Sequence, residues 1–281
     1  MSSFAQRDFS KIEITTEKVT DDIYVLFGSG GNIGIFAGKE QTLMIDDQFA
    51  PLSEKILAAV QQISDKPIHY LVNTHWHGDH TGGNENMAKH GATIVAHHNV
   101  RKRMSEEQKR PFGRSTPAAE EIARPKITFS DEMTFQIDDE QIMLIHVDNA
   151  HTDGDAWVYF VQSNVLHMGD TYFNGRFPYI DLGSGGSVGG VLAALNKALM
   201  LVNEETKIIP GHGTLSNKWE LRAYRNMLGT IHERVRLAIE AGKNLEEIKA
   251  AKLTADYESY DGGFISADKI VDIIYTDLSR E

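Results

Sequence analysis

One short stretch, residues 70–83 (Tyr-Leu-Val-Asn-Thr-His-Trp-His-Gly-Asp-His-Thr-Gly-Gly), constrains this chain more than any other. The largely apolar run from Ile68 to Val72 just before it has the length and composition of a β-strand. The chain then delivers His75, His77, Asp79 and His80 within six positions, among glycines. Side chains two apart in an extended segment point the same way, so His75 and His77 are placed to grip one ion together. Gly78 is expected to let the backbone bend, turning Asp79 and His80 towards a second position. Imidazole and carboxylate are good ligands for zinc. The spacing differs from that of a helical His-Glu-x-x-His site, so the pattern reads as a site at the end of a strand.

Composition narrows the chemistry. The 281 residues contain no cysteine, so any metal must be held by nitrogen and oxygen. The net charge of −12 opposes a nucleic-acid partner. The short Arg101-Lys102-Arg103 cluster is followed by Glu106 and Glu107 and reads as a solvated helix face. No apolar run reaches the length of a membrane span, and the first ten residues lack the apolar centre of a signal peptide. A soluble protein is expected: periplasmic if a signal peptide has been removed, otherwise cytoplasmic. The oligomeric state is left open.

The rest of the chain alternates strands and helices. Residues 1–10 read as a lead-in, and 11–281 as one domain. Strands are expected over Ile12–Thr16, Ile23–Phe27, Ile33–Ala37, Thr42–Ile45 and Ala92–Ala96. Hairpins follow at 133–147 and 156–168, and a short strand at 207–209. Helices are expected from Pro51 to Ile63, His98 to Gln108, Val188 to Val202, Ser216 to Ala241, Leu245 to Lys252 and Ser266 to Leu278. Residues 109–126, with Pro111, Gly113, Pro117 and Pro125, read as an irregular excursion. The loop Gly28-Ser29-Gly30-Gly31-Asn32 joins strand to strand, which argues against a phosphate cradle. No linker separates the halves, so two packed sheets with helices outside are expected, an α+β sandwich of four layers. His151, Asp170 and His212 each follow a strand and lie against a glycine or in a polar turn.

The His75-x-His77-x-Asp79-His80 run resembles the signature of the metallo-β-lactamase superfamily. Ala150-His151-Thr152-Asp153-Gly154-Asp155, Met168-Gly169-Asp170-Thr171 and Pro210-Gly211-His212-Gly213 resemble that family's remaining motifs, in the same order. The resemblance implies an αββα sandwich with metal-binding loops along one edge, and a hairpin overhanging the site near residues 28–32, which is short and small-residued here and so is expected to be a light flap. It implies that His75, His77 and His151 hold one ion and Asp79, His80 and His212 the other. Asp170 stands where one large group of β-lactamases has Cys, and resembles the bridging carboxylate of glyoxalase II-like and lactonase-like members. Asp46 is expected to support the ligands from behind. The other seven histidines (His69, His90, His97, His98, His146, His167 and His232) are expected to stay outside the ligand set.

The implied cofactor is a pair of Zn2+ ions, with Fe or Mn admitted by the same donors. Two such ions roughly 3.5–4 Å apart lower the pKa of a bridging water towards about 7, which gives a hydroxide nucleophile. Asp79 is the expected catalytic group, orienting that hydroxide and passing on its proton. The leading expectation is a β-lactamase-like, promiscuous opening of a cyclic amide or ester. The alternatives are a lactonase or glyoxalase II-like thioesterase, and an iron-dependent persulfide dioxygenase. The substrate is expected to be small and anionic. Residues 172–187 would form its wall, with Asn174 and Arg176 as contacts.

Overall fold

The computed structural model describes residues 8–110 and 114–280. The first sheet begins with β1 (Thr15–Lys18), β2 (Ile23–Phe27), β3 (Ile33–Ala37), β4 (Thr42–Ile45), β5 (Ile68–Asn73) and β6 (Thr93–His97) in that spatial order. A separate hairpin of β7 (Gln108–Arg110) and β8 (Arg114–Thr116) follows, and β9 (Ile127–Phe129) then closes the sheet beside β6. The second sheet takes β10 (Glu132–Ile137), β11 (Glu140–His146), β12 (Ala156–Phe160), β13 (Val165–His167), β14 (Lys207–Ile209) and β15 (Ser216–Asn217) in sequence order. The helices are α1 (Ser53–Ile63), α2 (Gly78–Thr81), α3 (Asn84–Lys89), α4 (His98–Met104), α5 (Val188–Leu201), α6 (Lys218–Glu240), α7 (Leu245–Ala250) and α8 (Ala267–Leu278).

Strand alternation explains the layers. All four residues of β4 are buried, because both of its faces are covered. Leu43 and Ile45 point between the sheets, where they meet Phe135, Leu144, Val158 and Phe160. Met44, one residue out of phase, packs with Leu71 and Ile94 against Leu52, Ile56 and Val60 on the α1 side. The second sheet turns Trp157, Leu166 and Ile208 outward onto Leu195 of α5, Leu228 of α6 and Ile274 of α8. The result is the expected αββα sandwich. Among the described residues, no helix is long and apolar enough to cross a membrane.

Parallel pairing sets up the site. β4, β5, β6 and β9 run parallel, so their carboxyl ends share one edge. β13 and β14 also run parallel, with His167 opposite Ile209, and deliver Asp170 and His212 side by side. Ligands in α/β sheets gather at such strand ends for the same geometric reason.

Several boundaries differ from expectation. The first strand begins at Thr15 rather than Ile12, because residues 9–12 are tied to α1: Lys55 Nζ donates to the carbonyls of Ser10 and Ile12 at 2.7 Å. The helix from His98 ends at Met104, whose carbonyl accepts Ala119 N, and the chain re-forms as strand from Gln108. The excursion therefore contains a hairpin; its Pro111 and Gly113 lie outside the described residues. Residues 1–7 of the expected lead-in do so too, while Phe9 packs on Phe49 with ring centroids 5.3 Å apart. The helix expected from Ser216 starts at Lys218, capped by Asn217, whose side chain accepts from Trp219 N and Glu220 N.

Candidate metal centre

Two clusters form at the shared edge. His75, His77, His151 and Asp170 bring their donor atoms within 4.8 Å of one another, and all four are buried. Asp79, His80 and His212 form the second group by the same measure. Asp170 lies between them. Its Oδ1 is 3.1 Å from His80 Nε2 and 3.4 Å from His212 Nε2, while Oδ2 is 3.6 Å from His151 Nε2 and 3.8 Å from His75 Nε2. Asp79 Oδ2 stands 3.4 Å from His212 Nε2. Thus every ligand position expected from sequence reaches the same edge.

The local backbone differs from the sequence reasoning in one respect. Gly78 opens the single turn of α2, and a side chain there would meet open space. The turn itself therefore presents Asp79 and His80, without needing a missing side chain. Close approach matters elsewhere. A Cβ on Gly211 would stand 2.1 Å from Asp170 Oδ1, so only glycine lets the His212 loop pass that carboxylate.

The outer ring atoms reveal how the histidines are oriented. Thr74 Oγ1 donates to Asp46 Oδ2 at 2.7 Å, so it accepts from His75 Nδ1 at 3.1 Å. His77 Nε2 donates to Asp181 Oδ2 at 2.9 Å, and His151 Nδ1 to the Tyr179 carbonyl at 2.8 Å. The inner nitrogens, His75 Nε2, His77 Nδ1 and His151 Nε2, are then all lone-pair donors. Yet His77 Nδ1 lies only 3.2 Å from His75 Nε2 and 2.9 Å from His151 Nε2. No proton remains to join them, so the trio calls for a cation. Tetrahedral zinc with bonds of about 2.1 Å would set its donors about 3.4 Å apart. Asp170 Oδ1 is buried with no hydrogen-bond partner, a second sign of a donor waiting for a cation. The residues fit a metal pair.

Electrostatics divide the clusters. Burial, reinforced by neighbouring histidines, holds His75 far below the ordinary imidazole range, and burial brings His151 down to about 4. Burial also works against a charge on His80 and His212, but Asp170 overrides it: His80 rises well above its ordinary value and His212 to about 9. Conversely, burial of Asp170 and Asp79 is outweighed by the facing histidines, and both carboxyls fall below the carboxylate range. His75 and His151 are neutral and ready to ligate. In the second cluster a metal would take the place of protons.

Asp46 supports the cluster from behind. It is fully buried and accepts from Thr74 N at 2.8 Å, Thr74 Oγ1 at 2.7 Å and His80 Nδ1 at 2.7 Å. Asp181 does for His77 what Asp46 does for His80, and sequence reasoning missed it. Its side chain also caps the following turn at Gly183 N and Ser184 N, and that Asp-x-Gly-Ser turn was the only available signal. The glycine loop is no flap. Gly31 N donates to the Asp79 carbonyl, Asn32 N to the Gly211 carbonyl, and a Cβ on Gly31 would lie 2.1 Å from His80 Cε1. Asn174 Nδ2 is held by Thr214 and Leu215, and its Oδ1 accepts from Tyr172. The Arg176 stem lies along Gly263. None of the other seven histidines joins either cluster: His97 and His146 stack on each other at 3.7 Å, and His167 hydrogen-bonds the Asn32 carbonyl.

Comparison with known proteins agrees with this geometry. The sequence profile described as "Metallo-beta-lactamase superfamily" matches residues 26–212, which include every ligand position. A hydroxyacylglutathione hydrolase of Pelagibacter ubique is 28% identical over 159 residues, 54% of this chain and 56% of that protein. The 2,4-dinitroanisole O-demethylase subunit alpha of a Nocardioides species is 28% identical over 163 residues, 56% of this chain and 44% of that protein. The chain thus spans about half the length of the curated relatives it matches. Among solved structures, a metallo-beta-lactamase from Pontibacter korlensis superposes with a TM-score of 0.66 at 18% identity, over 77% of this chain and 99% of that one. The sec-alkylsulfatase Pisa1 from a Pseudomonas species superposes with a TM-score of 0.69 at 17% identity, over 94% of this chain and 50% of that one. Sandwich, strand-end clusters and profile coincide over more than half of the sequence, and the chain belongs to the metallo-beta-lactamase superfamily.

Proposed function

We propose that this protein is a binuclear metal-dependent hydrolase of carbonyl esters, with thioesters as the favoured class. The observation that carries this reading is the placement of Asp170, one oxygen towards each cluster. His75, His77 and His151 would hold one ion, and Asp79, His80 and His212 the other. When bound, divalent ions there supply the Lewis acidity that polarises a carbonyl and makes water a competent nucleophile near neutral pH. Zinc suits the nitrogen and oxygen donors, and iron and manganese are accommodated by the same set.

Asp79 is the residue that handles the proton. Its side chain is 31% exposed, against 0% for His80 and 5% for Asp170, so it is the carboxylate that meets incoming water. Its depressed pKa keeps it an anionic acceptor at neutral pH. His77 and His151 are locked by Asp181 and Tyr179 and stay fixed while that proton moves. Two of the sequence relatives are named hydroxyacylglutathione hydrolases, which favours the thioester over the cyclic amide. The likeness to β-lactamases is one of fold.

The test combines metal analysis with a substrate panel: a glutathione thioester, a lactone and a chromogenic cephalosporin. About two metal ions per chain and preferred turnover of the thioester are expected. Asp79→Asn should keep the first cluster's ion while kcat falls by roughly 10²-fold or more. Bound iron with turnover of none of the three would refute the reading and favour oxygen chemistry on persulfides.

A further inference from the structure

Aromatic rings pack beside the ligand histidines. Phe173 stacks on His212, with centroids 5.2 Å apart and planes 11° from parallel. The Tyr179 ring lies 5.9 Å from His77 and 5.7 Å from His151. Phe264 meets Tyr179 edge-on at 6.0 Å while remaining 87% exposed.

Exposure alone would mean little, since lone apolar side chains are common on protein surfaces. The placement of Phe264 is what matters. Ile265, next in the chain, is buried, and Ser266 caps α8 by accepting from Lys269 N. On the other side Gly263 lies against the Arg176 stem, and Phe177 N donates to the Tyr260 carbonyl at 3.2 Å. The segment before α8 is therefore fastened to the loop that follows Asp170, and Phe264 stands exposed one ring out from His77 and His151, with Tyr179 between. It also lies beyond residue 212, outside the part of the chain the superfamily profile matches.

We propose that Phe264 and Tyr179 form an aromatic clamp that grips a flat apolar group on the substrate, so that aryl-bearing acyl compounds are selected over alkyl ones. Tyr179 supplies a fixed inner wall, because its backbone carbonyl anchors His151. Phe264 supplies the outer wall, and a ring inserted beside the pair gains edge and face contacts from both. The inference rests on the hydrolase reading only for placing the reacting carbonyl at the metal clusters.

The test is a binding measurement on the zinc-loaded protein with benzylsuccinate and methylsuccinate. These dicarboxylates carry the same metal-seeking groups and differ by one phenyl ring. Calorimetry should show the wild type binding benzylsuccinate about tenfold more tightly, the scale expected of one well-placed aromatic contact. Phe264→Ala should bring that ratio near one, and Phe264→Trp should preserve it, with zinc content equal in all three. Equal affinities in the wild type, an undiminished ratio in Phe264→Ala, or binding of neither compound would overturn the clamp. Turnover is not needed for this readout. A protein that shows the preference but hydrolyses nothing would refute the hydrolase reading and leave the clamp standing.

Discussion

Asp46→Asn separates the support of the metal centre from its ligands. The backbone at Asp46 has φ 59°, which Asn tolerates as well as Asp, so the substitution changes hydrogen bonding alone. In the wild type both carboxylate oxygens only accept: Oδ1 from Thr74 N, Oδ2 from Thr74 Oγ1 and His80 Nδ1. If the amide oxygen keeps Thr74 N, the new Nδ2 donates towards two groups that were themselves donors. Thr74 can adapt only by turning its hydroxyl proton towards His75 Nδ1, which moves the His75 proton to Nε2. His80 can adapt only by moving its proton to Nε2 in the same way. Each adjustment puts a proton on a nitrogen that faces the metal centre, where a lone pair is required. Loss of one such supporting contact typically lowers metal affinity by 10–100-fold. Because Asp46 serves a histidine in each cluster, both sites should weaken by about that factor. Failure to adapt would instead leave a buried charge-assisted bond broken, at a cost of about 1.5–3 kcal/mol. Competition for zinc against a chelating dye measures both dissociation constants. Two ions bound with unchanged affinity would show that Asp46 does not set the tautomers.

Asp181→Asn should weaken the first cluster by about tenfold and leave the second unchanged, because Asp181 touches His77 and not His80; stepwise zinc titration separates the two. Gly31→Ala places a Cβ on the His80 ring and should cost about 1–3 kcal/mol in chemical denaturation, with zinc lost first from the second cluster. Burial, with His146 stacked on the ring, holds His97 down to about 4 from 6.5. Between those values the unfolded chain binds a proton that the folded protein refuses, so stability is present above pH 6.5 and falls on acidification towards about pH 4. His97→Phe in metal-free protein should flatten that fall while keeping the stacked ring, and an unchanged slope would refute the assignment.

The parts of this molecule legible in sequence share a cause. Strand burial enforces alternation, so Thr42–Ile45 and Ile68–Asn73 announce themselves, and ligands placed after strands inherit a predictable direction. Asp46 was readable through the family resemblance, which expects a supporting carboxylate after the Thr42–Ile45 strand. Asp181 was not, because it meets His77 across 104 positions through a turn whose own chemistry is already satisfied by capping Gly183 and Ser184. The loop at Gly28–Asn32 misleads for a related reason. Small residues signal a turn but not what the turn rests on, and here the missing side chains admit the His80 ring rather than confer movement. The early end of α4 has the same character, since the Ala119–Met104 contact that accompanies it is long-range.

That lacing bears on what metal does to this protein. The loops that carry the ligands are joined by backbone groups: Gly31 to Asp79, Asn32 to Gly211, Asp47 to His80, and Asp181 to His151. Asn32 adds two more bonds through its side chain, donating to the carbonyls of Pro210 and Gly213 at 2.8 Å each. None of these bonds involves a ligating atom, so they tie the loops of the edge together independently of any cation. In small metal-nucleated domains the ion's binding energy is largely folding energy. Here it is opposed mainly by the protons on His80 and His212, while relief of the close approach of like lone pairs in the first cluster favours it. Affinity should therefore respond to residues such as Asp46 and Asp181, which govern where those protons sit, more steeply than to the stability of the fold as a whole.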